Sequence, residues 1–558
     1  MKTYDMSPSM KRAARVGGAA LAAVIGLGAC ATQPAGAPAT AALPMAPPAP
    51  TPGPVIGNAP ALLVPATPPP PPGPPPPPSE RATPDAPFRA NAPAPGAEPQ
   101  FKVPAFKRFK LKNGLDVILA EFHDLPLVDV SLVIKAGGGA NPPELAGLAE
   151  MTANMLDEGT KTRSALDIAD EMAVLGANLG TASSWDASNA SMSVLTKNLD
   201  AALAVWADVV QHPAFSEQEF TRVRDNLLTA IARRKDSPPV IATLAMSKIL
   251  YGDKHPFAWP MTGVEASLKK LTVGELRKFY DAYYRPNNAV LIVAGDITEA
   301  ALRPKLENAL KSWKSGAVPK RKLPTPPVAT RTKVYLIDKG EAPQSSIRVG
   351  LVGIERTNPD YVPVSVMNLI LGGGFYRLDL NLREGKGWTY GARSTFDARR
   401  TPGPFSAGGE FVATHTADSV AEILKEVNTI RETDVSDAEL SRAKDQIIKS
   451  FPARFATRGS TAGQLADLAI YGLPDSYLKD YTKKIAAITK EDVHKMARKY
   501  LTADKLSIVV VGDQKLLKDG LSKIAPVELR DLEGNLLPVP VASESGSKGG
   551  GEGGKSEE

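Results

Sequence analysis

Cysteine and histidine are both scarce in this chain of 558 residues. Cys30 is the single cysteine, so no disulfide can form within the chain, and the stability of its folded part must come from packing. No two histidines stand four residues apart, the spacing at which two imidazoles on one helix share a metal. The five are His123, His212, His255, His415 and His494. A metal site built on such a pair is therefore not expected.

The chain also lacks a strong excess of either charge. It contains 66 Lys and Arg residues and 60 Asp and Glu residues, which gives a formal net charge of +6. The basic residues are scattered among acidic ones and form no stripe, a pattern that argues against nucleic acid as a partner. The short basic run at residues 320–322 is interpreted as part of a solvated linker.

The N-terminus has the pattern of a targeting segment. Three basic residues at 11, 12 and 15 precede an apolar run over residues 17–29, which is too short to remain as a transmembrane helix. The run ends in Leu27-Gly28-Ala29-Cys30, which resembles a bacterial lipobox. This predicts a signal peptide over residues 1–29 and a lipid on Cys30. An ordinary signal peptide followed by a chance cysteine is the alternative.

The resemblance to lipoproteins also predicts a location in the bacterial cell envelope. Because Ala31 follows the cysteine where an Asp would retain the protein in the inner membrane, we expect a lipid anchor in the outer membrane that faces the periplasm. Residues 30–104 are rich in Pro and Ala and predict an extended, disordered tether. A ligand for a proline-binding module is the alternative for this segment. Residues 541–558 predict a disordered tail.

An internal repeat organises the rest of the chain. A helix pattern and an apolar strand ending at Gly295-Asp296 recur 217 residues later, ending at Gly512-Asp513. The early strand 128–135 likewise matches 345–352. The repeat predicts an N-terminal domain over 105–315, a Pro-rich linker over 316–331 and a C-terminal domain over 332–540. Strands mixed with grouped helices predict an α+β fold in which helices cover one face of each sheet.

One segment of the first domain resembles an enzyme active site without its chemistry. Residues 147–160 read GLAEMTANMLDEGT. This frame resembles the active-site helix of the pitrilysin/insulinase family, zinc peptidases with an inverted H-x-x-E-H motif. Glu150 stands at the first His position, Ala153 at the catalytic Glu and Asn154 at the second His. In a matching frame on a later helix, Ala230 stands at the third ligand position.

These replacements remove what zinc catalysis requires. A catalytic zinc needs three protein ligands and a base for its bound water, whereas Asn is a poor ligand and Ala cannot accept a proton. We therefore predict a degenerate zinc site, with Glu150 and Asn154 as a polar pair that lines a cavity or faces solvent. The resemblance also implies the family's architecture, in which two homologous sheet-plus-helices domains face each other as a clamshell.

The second domain keeps a motif that the family uses for its substrate. Residues 371–391 read LGGGFYRLDLNLREGKGWTYG. The resemblance implies that Arg383 and Tyr390 hydrogen-bond the backbone of a peptide near the carbonyl that is cleaved, for which their donors are suited. Alternatively, Arg383 pairs with a neighbouring carboxylate and Tyr390 packs in the core. Gly372–Gly374 are interpreted as a helix end and turn that also serve binding.

The resemblance further implies an edge strand near residues 176–181 to which an extended peptide adds itself, although an ordinary edge hairpin explains the pattern equally well. Together these features predict a non-catalytic, substrate-binding subunit of a heterodimeric zinc peptidase that acts on unfolded peptides. Zinc is expected in the partner subunit, and no cofactor in this chain. The first alternative is a membrane-tethered scaffold or peptide-binding protein with no proteolytic role, and a further one is a zinc peptidase active by itself.

Overall fold

The computed structural model describes residues 101–320 and 322–537. The predicted signal peptide, Cys30, most of the tether and the C-terminal tail lie outside the described residues, so these stay predictions. Within the described ranges, no helix is both long enough and apolar enough to cross a membrane.

The first half of the folded chain is built on a six-stranded mixed sheet. Its order is β1-β2-β6-β3-β5-β4, so β4 lies at an edge. The pairing of β2 with β6 is parallel and the other pairings are antiparallel. The strands are β1 (Lys107–Lys110), β2 (Asp116–Glu121), β3 (Leu127–Ile134), β4 (Asn178–Ser183), β5 (Ser188–Leu195) and β6 (Ala289–Gly295).

Eight helices belong to this half by sequence. They are α1 (Leu148–Asn154), α2 (Ala165–Val174), α3 (Leu199–Gln211), α4 (Glu217–Arg234), α5 (Pro238–Tyr251), α6 (Glu265–Leu268), α7 (Val273–Tyr283) and α8 (Glu299–Ala309). Side chains of α1, α3 and α7 share one apolar core with the face of the sheet that carries Val130 and Leu132.

The second half repeats this plan in another six-stranded sheet, ordered β12-β7-β11-β8-β10-β9. Its strands are β7 (Lys333–Asp338), β8 (Gln344–Val352), β9 (Thr389–Phe396), β10 (Pro404–Val412), β11 (Ser507–Gly512) and β12 (Val527–Arg530). Its helices are α9 (Tyr361–Gly372), α10 (Arg377–Asp379), α11 (Thr416–Glu432), α12 (Asp437–Ser450), α13 (Arg458–Tyr471), α14 (Tyr477–Ala486), α15 (Lys490–Tyr500) and α16 (Gln514–Ser522).

The register of the two sheets follows the sequence repeat. Val130 pairs with Val293 across β3 and β6, and the residues 217 positions later, Ile347 and Val510, pair across β8 and β11. The same shift of 217 residues relates the parallel β2–β6 pairs to the parallel β7–β11 pairs. It also relates the β3–β5 pairs to the β8–β10 pairs. The predicted α+β fold of two homologous sheet-plus-helices domains is thus confirmed.

The helices of the repeat begin at equivalent caps. Ser216 accepts a hydrogen bond from the backbone N–H of Glu219 at the start of α4, and Ser436 does the same for Glu439 at the start of α12. Thr272 and Thr489 cap α7 and α15 in the same manner. A side-chain oxygen at this position satisfies an N–H that has no partner within the helix, which is why these residues fix where each helix begins.

Two helices are exchanged between the halves. Helix α5 packs against β8 and β11 of the second sheet, whereas α13 packs against β3 and β6 of the first. Met246 of α5 shares a buried core with Val509 and Val511. Each sheet is therefore covered on both faces, once by helices of its own half and once by a helix of the other half. The sequence pattern predicted only one covered face, because it does not show which sheet an apolar helix joins.

Candidate functional site

Helix α1 holds the residues that replace the family's zinc ligands. It begins after Gly147, whose φ of 97° is in the left-handed region that glycine adopts without strain. Glu150 and Asn154 lie one helical turn apart. The Asn154 side chain and the backbone of Ser183, at the end of β4, are close enough to the Glu150 carboxyl to lower its pKa. Helix α1 packs against β4, the edge strand of the first sheet.

The environment of Glu150 is unusual for a carboxylate. Burial raises the pKa of Glu150, and the nearby Asn154 side chain and Ser183 backbone only partly oppose this effect. Its Oε2 atom has no hydrogen-bond partner among the described residues, and the same holds for the buried hydroxyl oxygen of Tyr284. Burial also raises the pKa of Tyr284; the nearby Ser188 side chain opposes this effect, and the charge of Glu150 adds a smaller contribution in the raising direction.

The other two positions of the family's zinc site offer no metal-binding or acid–base group. Ala153 lies on the fully buried face of α1, and Ala230 lies on an exposed part of α4. Within residues 101–320 and 322–537, no three His, Cys, Asp or Glu side chains gather as a metal site would require. The residues present at these four positions do not fit a zinc ion.

The glycine-rich turn of the second half ends helix α9. A Cβ atom on Gly372 would lie 2.3 Å from the backbone nitrogen of Ser394, and one on Gly373 would lie 2.4 Å from the Leu369 side chain. The backbone N–H of Gly373 bonds the carbonyl oxygen of Leu369 and closes the helix. The interpretation as a helix end agrees with this geometry, but the two glycines are needed for close packing rather than for a left-handed cap.

Asp379 connects the parts of the second motif. Its side chain is buried and accepts hydrogen bonds from the backbone N–H of Phe375 (3.2 Å) and of Ala392 (3.4 Å). It also lies 3.7 Å from Nη1 of Arg383. One carboxylate therefore joins the glycine-rich turn, the arginine and the strand that carries Tyr390.

Arg383 lies in a π-helical turn, Leu380–Gly385, that follows α10. Besides Asp379, its guanidinium approaches the carboxylate of Glu384 at 3.4 Å, while 42% of the side chain stays exposed. The alternative in which Arg383 pairs with a neighbouring carboxylate therefore describes part of its environment. Because much of the side chain still faces solvent, it can also contact a ligand.

Tyr390 faces solvent on the edge strand β9. It is 89% exposed, so the alternative in which it packs in the core is wrong. The cause is local: the pairing of β9 with β10 shifts register between Gly409 and Phe411, where Tyr390 lies. A bulge of this kind re-aims a side chain that regular alternation would place elsewhere.

The two edge strands differ in how their own chain covers them. On β9, Asp379 accepts from the N–H of Ala392 and the Asn368 amide donates to the Ser394 carbonyl. On β4, Glu150 contacts the backbone of Ser183, the last residue of the strand. The predicted edge strand near 176–181 is therefore present as β4, and its binding of a peptide stays a prediction.

Two protein-family models match the folded part of this chain. Residues 117–257 match the family model described as insulinase (peptidase family M16), and residues 270–447 match the peptidase M16 inactive domain. The chain belongs to peptidase family M16. This confirms the resemblance to the pitrilysin/insulinase family on which the zinc-site comparison rests. The boundaries of the two domains and the linker stay predictions.

Similar M16 proteins include both zinc proteases and a non-peptidase by name. An uncharacterized zinc protease YmxG of Bacillus subtilis is 25% identical over 402 residues, covering 71% of this chain and 96% of that protein. The non-peptidase homolog YmxG of Helicobacter pylori is 24% identical, covering 72% of this chain and 92% of that protein. The crystal structure of a peptidase M16 inactive domain from Pseudomonas fluorescens is 28% identical, with a TM-score of 0.69, and covers 73% of this chain and 98% of that one.

These findings make the chain an inactive-type homologue of the M16 peptidases. The sequence motif points to Arg383 and Tyr390 but not to Asp379, which pairs with Arg383 and accepts a hydrogen bond from the strand that carries Tyr390. The available signal was an acidic residue inside the otherwise largely apolar segment LDLNL at 378–382. An acidic residue in such a segment is buried only when other groups satisfy it.

Proposed function

We propose that this M16 homologue is the non-catalytic, substrate-binding subunit of a two-chain zinc peptidase. The observation that carries the proposal is the exposure of Tyr390, which is 89% accessible on an edge strand. A tyrosine in that position contributes nothing to the core. An extended peptide would use its hydroxyl and the guanidinium of Arg383 as hydrogen-bond donors.

The missing half of the chemistry would come from the partner. A relative with an intact H-x-x-E-H motif would hold the zinc and supply the base, because this chain has Ala153 at the base position and keeps only one carboxylate, Glu150, at the ligand positions. The peptide would lie against the edge strand β4 and receive main-chain hydrogen bonds from it. Arg383 and Tyr390 would orient its carbonyl and stabilise the oxyanion that forms during cleavage.

The N-terminal features extend the proposal to a location. A lipid on Cys30 and the Pro-rich tether would hold the folded part at the periplasmic face of the outer membrane. Unfolded segments of envelope proteins are then the class of substrate that the subunit meets.

The test is Arg383→Ala in the complex with the zinc-bearing partner. We expect kcat/KM for an unstructured peptide to fall roughly tenfold to a hundredfold, because donors to the developing oxyanion are lost. Arg303→Ala is the matched control. Arg303 is 40% exposed and pairs with Glu299 four residues away, as Arg383 is 42% exposed and pairs with Asp379.

An unchanged rate for Arg383→Ala would contradict the assigned role. Peptide binding by the chain with no peptidase partner in the native envelope would instead favour the tethered scaffold or peptide-binding protein.

A further inference from the structure

We infer that Phe375 determines specificity in the peptide site, by contacting an apolar side chain of the bound peptide beside the carbonyl that Arg383 orients. The inference rests on the proposed function and adds to it a class of substrate: extended peptides with an aromatic or branched apolar residue at that position.

The backbone of Phe375 is in a conformation that most side chains avoid. Its φ is 61°, and within the described ranges only two other non-glycine residues have a positive φ: Phe215 and Glu341. A left-handed backbone is unfavourable for a residue with a Cβ, and such residues persist where the surroundings hold them. Here the N–H of Phe375 is held by the buried carboxylate of Asp379.

The three residues differ in what compensates this strain. Phe215 is buried and packs its ring against Tyr280, so its side chain contributes to the core. Glu341 is a polar residue in the turn between β7 and β8. Phe375 leaves 54% of its surface exposed. Three glycines precede it, and a fourth would remove the strain at small loss of packing, so the fold alone does not explain a large aromatic ring there.

The ring lies beside the arginine of the motif. The Arg383 guanidinium carbon is 5.7 Å from the centroid of the Phe375 ring, and Asp379 holds both residues. A peptide whose carbonyl meets the guanidinium would bring a neighbouring side chain to the ring. Burial of an apolar side chain there is favourable, whereas a polar side chain would lose hydration without a partner.

The experiment measures binding of three fluorescent decapeptides to the full chain by anisotropy. Each peptide is a Gly/Ser sequence with Phe, Leu or Ser at its centre. We expect the wild-type chain to bind the Phe and Leu peptides roughly tenfold more tightly than the Ser peptide. Phe375→Gly should bind all three about equally, at the wild-type affinity for Ser, and Phe375→Leu should keep the preference.

Thermal unfolding separates this role from a structural one. Because glycine relieves the left-handed strain but gains entropy in the unfolded chain, Phe375→Gly should unfold close to the wild-type temperature. A large fall in the unfolding temperature, or a preference that survives in Phe375→Gly, would overturn the inference. So would a wild-type chain that binds none of the peptides, or a Phe375→Gly chain whose only defect is weaker association with another subunit.

The same peptides distinguish the inference from the proposed function. Arg383→Ala should weaken binding of all three peptides by a similar factor and leave the preference intact. If Arg383→Ala and Tyr390→Phe change neither binding nor cleavage while Phe375→Gly abolishes the preference, the role of the Arg–Tyr pair fails and the role of Phe375 stands. If instead Arg383→Ala and Tyr390→Phe weaken binding or cleavage while Phe375→Gly keeps the preference, only the proposed role of Phe375 is refuted.

Discussion

At the residue scale, the positions of the family's zinc ligands lie against an edge strand. Glu150 and Asn154 keep the spacing of a metal-ligand pair, and the Glu150 carboxyl lies near the backbone of Ser183 at the end of β4. The residue types alone predict a degenerate zinc site, but the approach to the strand brings together residues 33 positions apart, which no local pattern shows.

The first prediction concerns Glu150→Gln. Because burial raises the pKa of Glu150 in the folded chain, the folded state binds a proton more readily than the unfolded state. Wild-type stability therefore falls as pH rises from about 4.5 through the raised pKa. Glutamine carries no charge, so we expect the variant to be as stable as wild type or about 1 kcal/mol more stable at pH 8.

Urea unfolding of both chains at pH 5 and pH 8 measures this difference. The control is Glu144→Gln, at an exposed position of the loop before α1. A variant that is clearly less stable than wild type at pH 8 would show that the ionised carboxyl is needed by the fold.

The second prediction concerns the pair Arg377–Glu439, whose Nε and Oε1 atoms are 2.6 Å apart. Burial alone would raise the pKa of Glu439, but the hydrogen bonds and charge of Arg377, together with the cap residue Ser436, outweigh it and lower the pKa to about 2. The pair therefore stabilises the fold above about pH 4.5, and this stability is lost as pH falls towards 2.

We expect Glu439→Gln to lose about 2 kcal/mol at pH 7 and to lie closer to wild type at pH 3. Unfolding by urea at the two pH values checks this. Glu432→Gln, at an exposed position at the end of α11, is the control and should change stability little at either pH. An equal loss at both pH values would contradict the assigned ion pair.

At the scale of elements, the repeat made much of the fold predictable. Apolar strands such as β6 and β11, each ending at Gly-Asp, and helices with a Ser or Thr cap are local signals, and their constant offset of 217 residues predicted equivalent pairings. The exchange of α5 and α13 was not predictable. Helix α5 is largely apolar and α13 carries apolar residues such as Leu465 and Leu468 among polar ones. Such residues show that a helix has a buried face without showing against which sheet it packs.

The third prediction follows from this exchange. Met246→Ala in α5 and Leu465→Ala in α13 each remove buried apolar volume, and we expect each to destabilise the chain by about 2–4 kcal/mol. Hydrogen exchange should show the loss of protection in the sheet of the other half: in β8 and β11 for Met246→Ala, and in β3 and β6 for Leu465→Ala.

The matched control for the exchange is Val174→Ala, because Val174 is 86% exposed at the end of α2. This substitution should leave both the stability and the hydrogen-exchange rates unchanged. If Met246→Ala or Leu465→Ala speeds hydrogen exchange only in the half that contains the substitution, the packing of each helix on the sheet of the other half is contradicted.

At the scale of the whole molecule, the chain has the M16 fold but not the residues of its zinc site. Both sheets, their helices and the Arg–Tyr motif are present, and the zinc ligands are replaced at every position of the family's frame. The exposed Tyr390 and the partly exposed Arg383 face solvent, where the proposed peptide would bind. Sequence patterns identified these two residues, but not the bulge and the Asp379 contact that present them.

The most direct test of the proposed role is to isolate the full chain from its native envelope with a C-terminal tag and to identify what co-purifies. We expect a stoichiometric M16 relative with an intact H-x-x-E-H motif, in a complex that cleaves unstructured peptides and slows when Arg383 is replaced by Ala. A chain that purifies without such a relative, or a complex whose peptidase activity is the same with and without this chain, would contradict the proposed role.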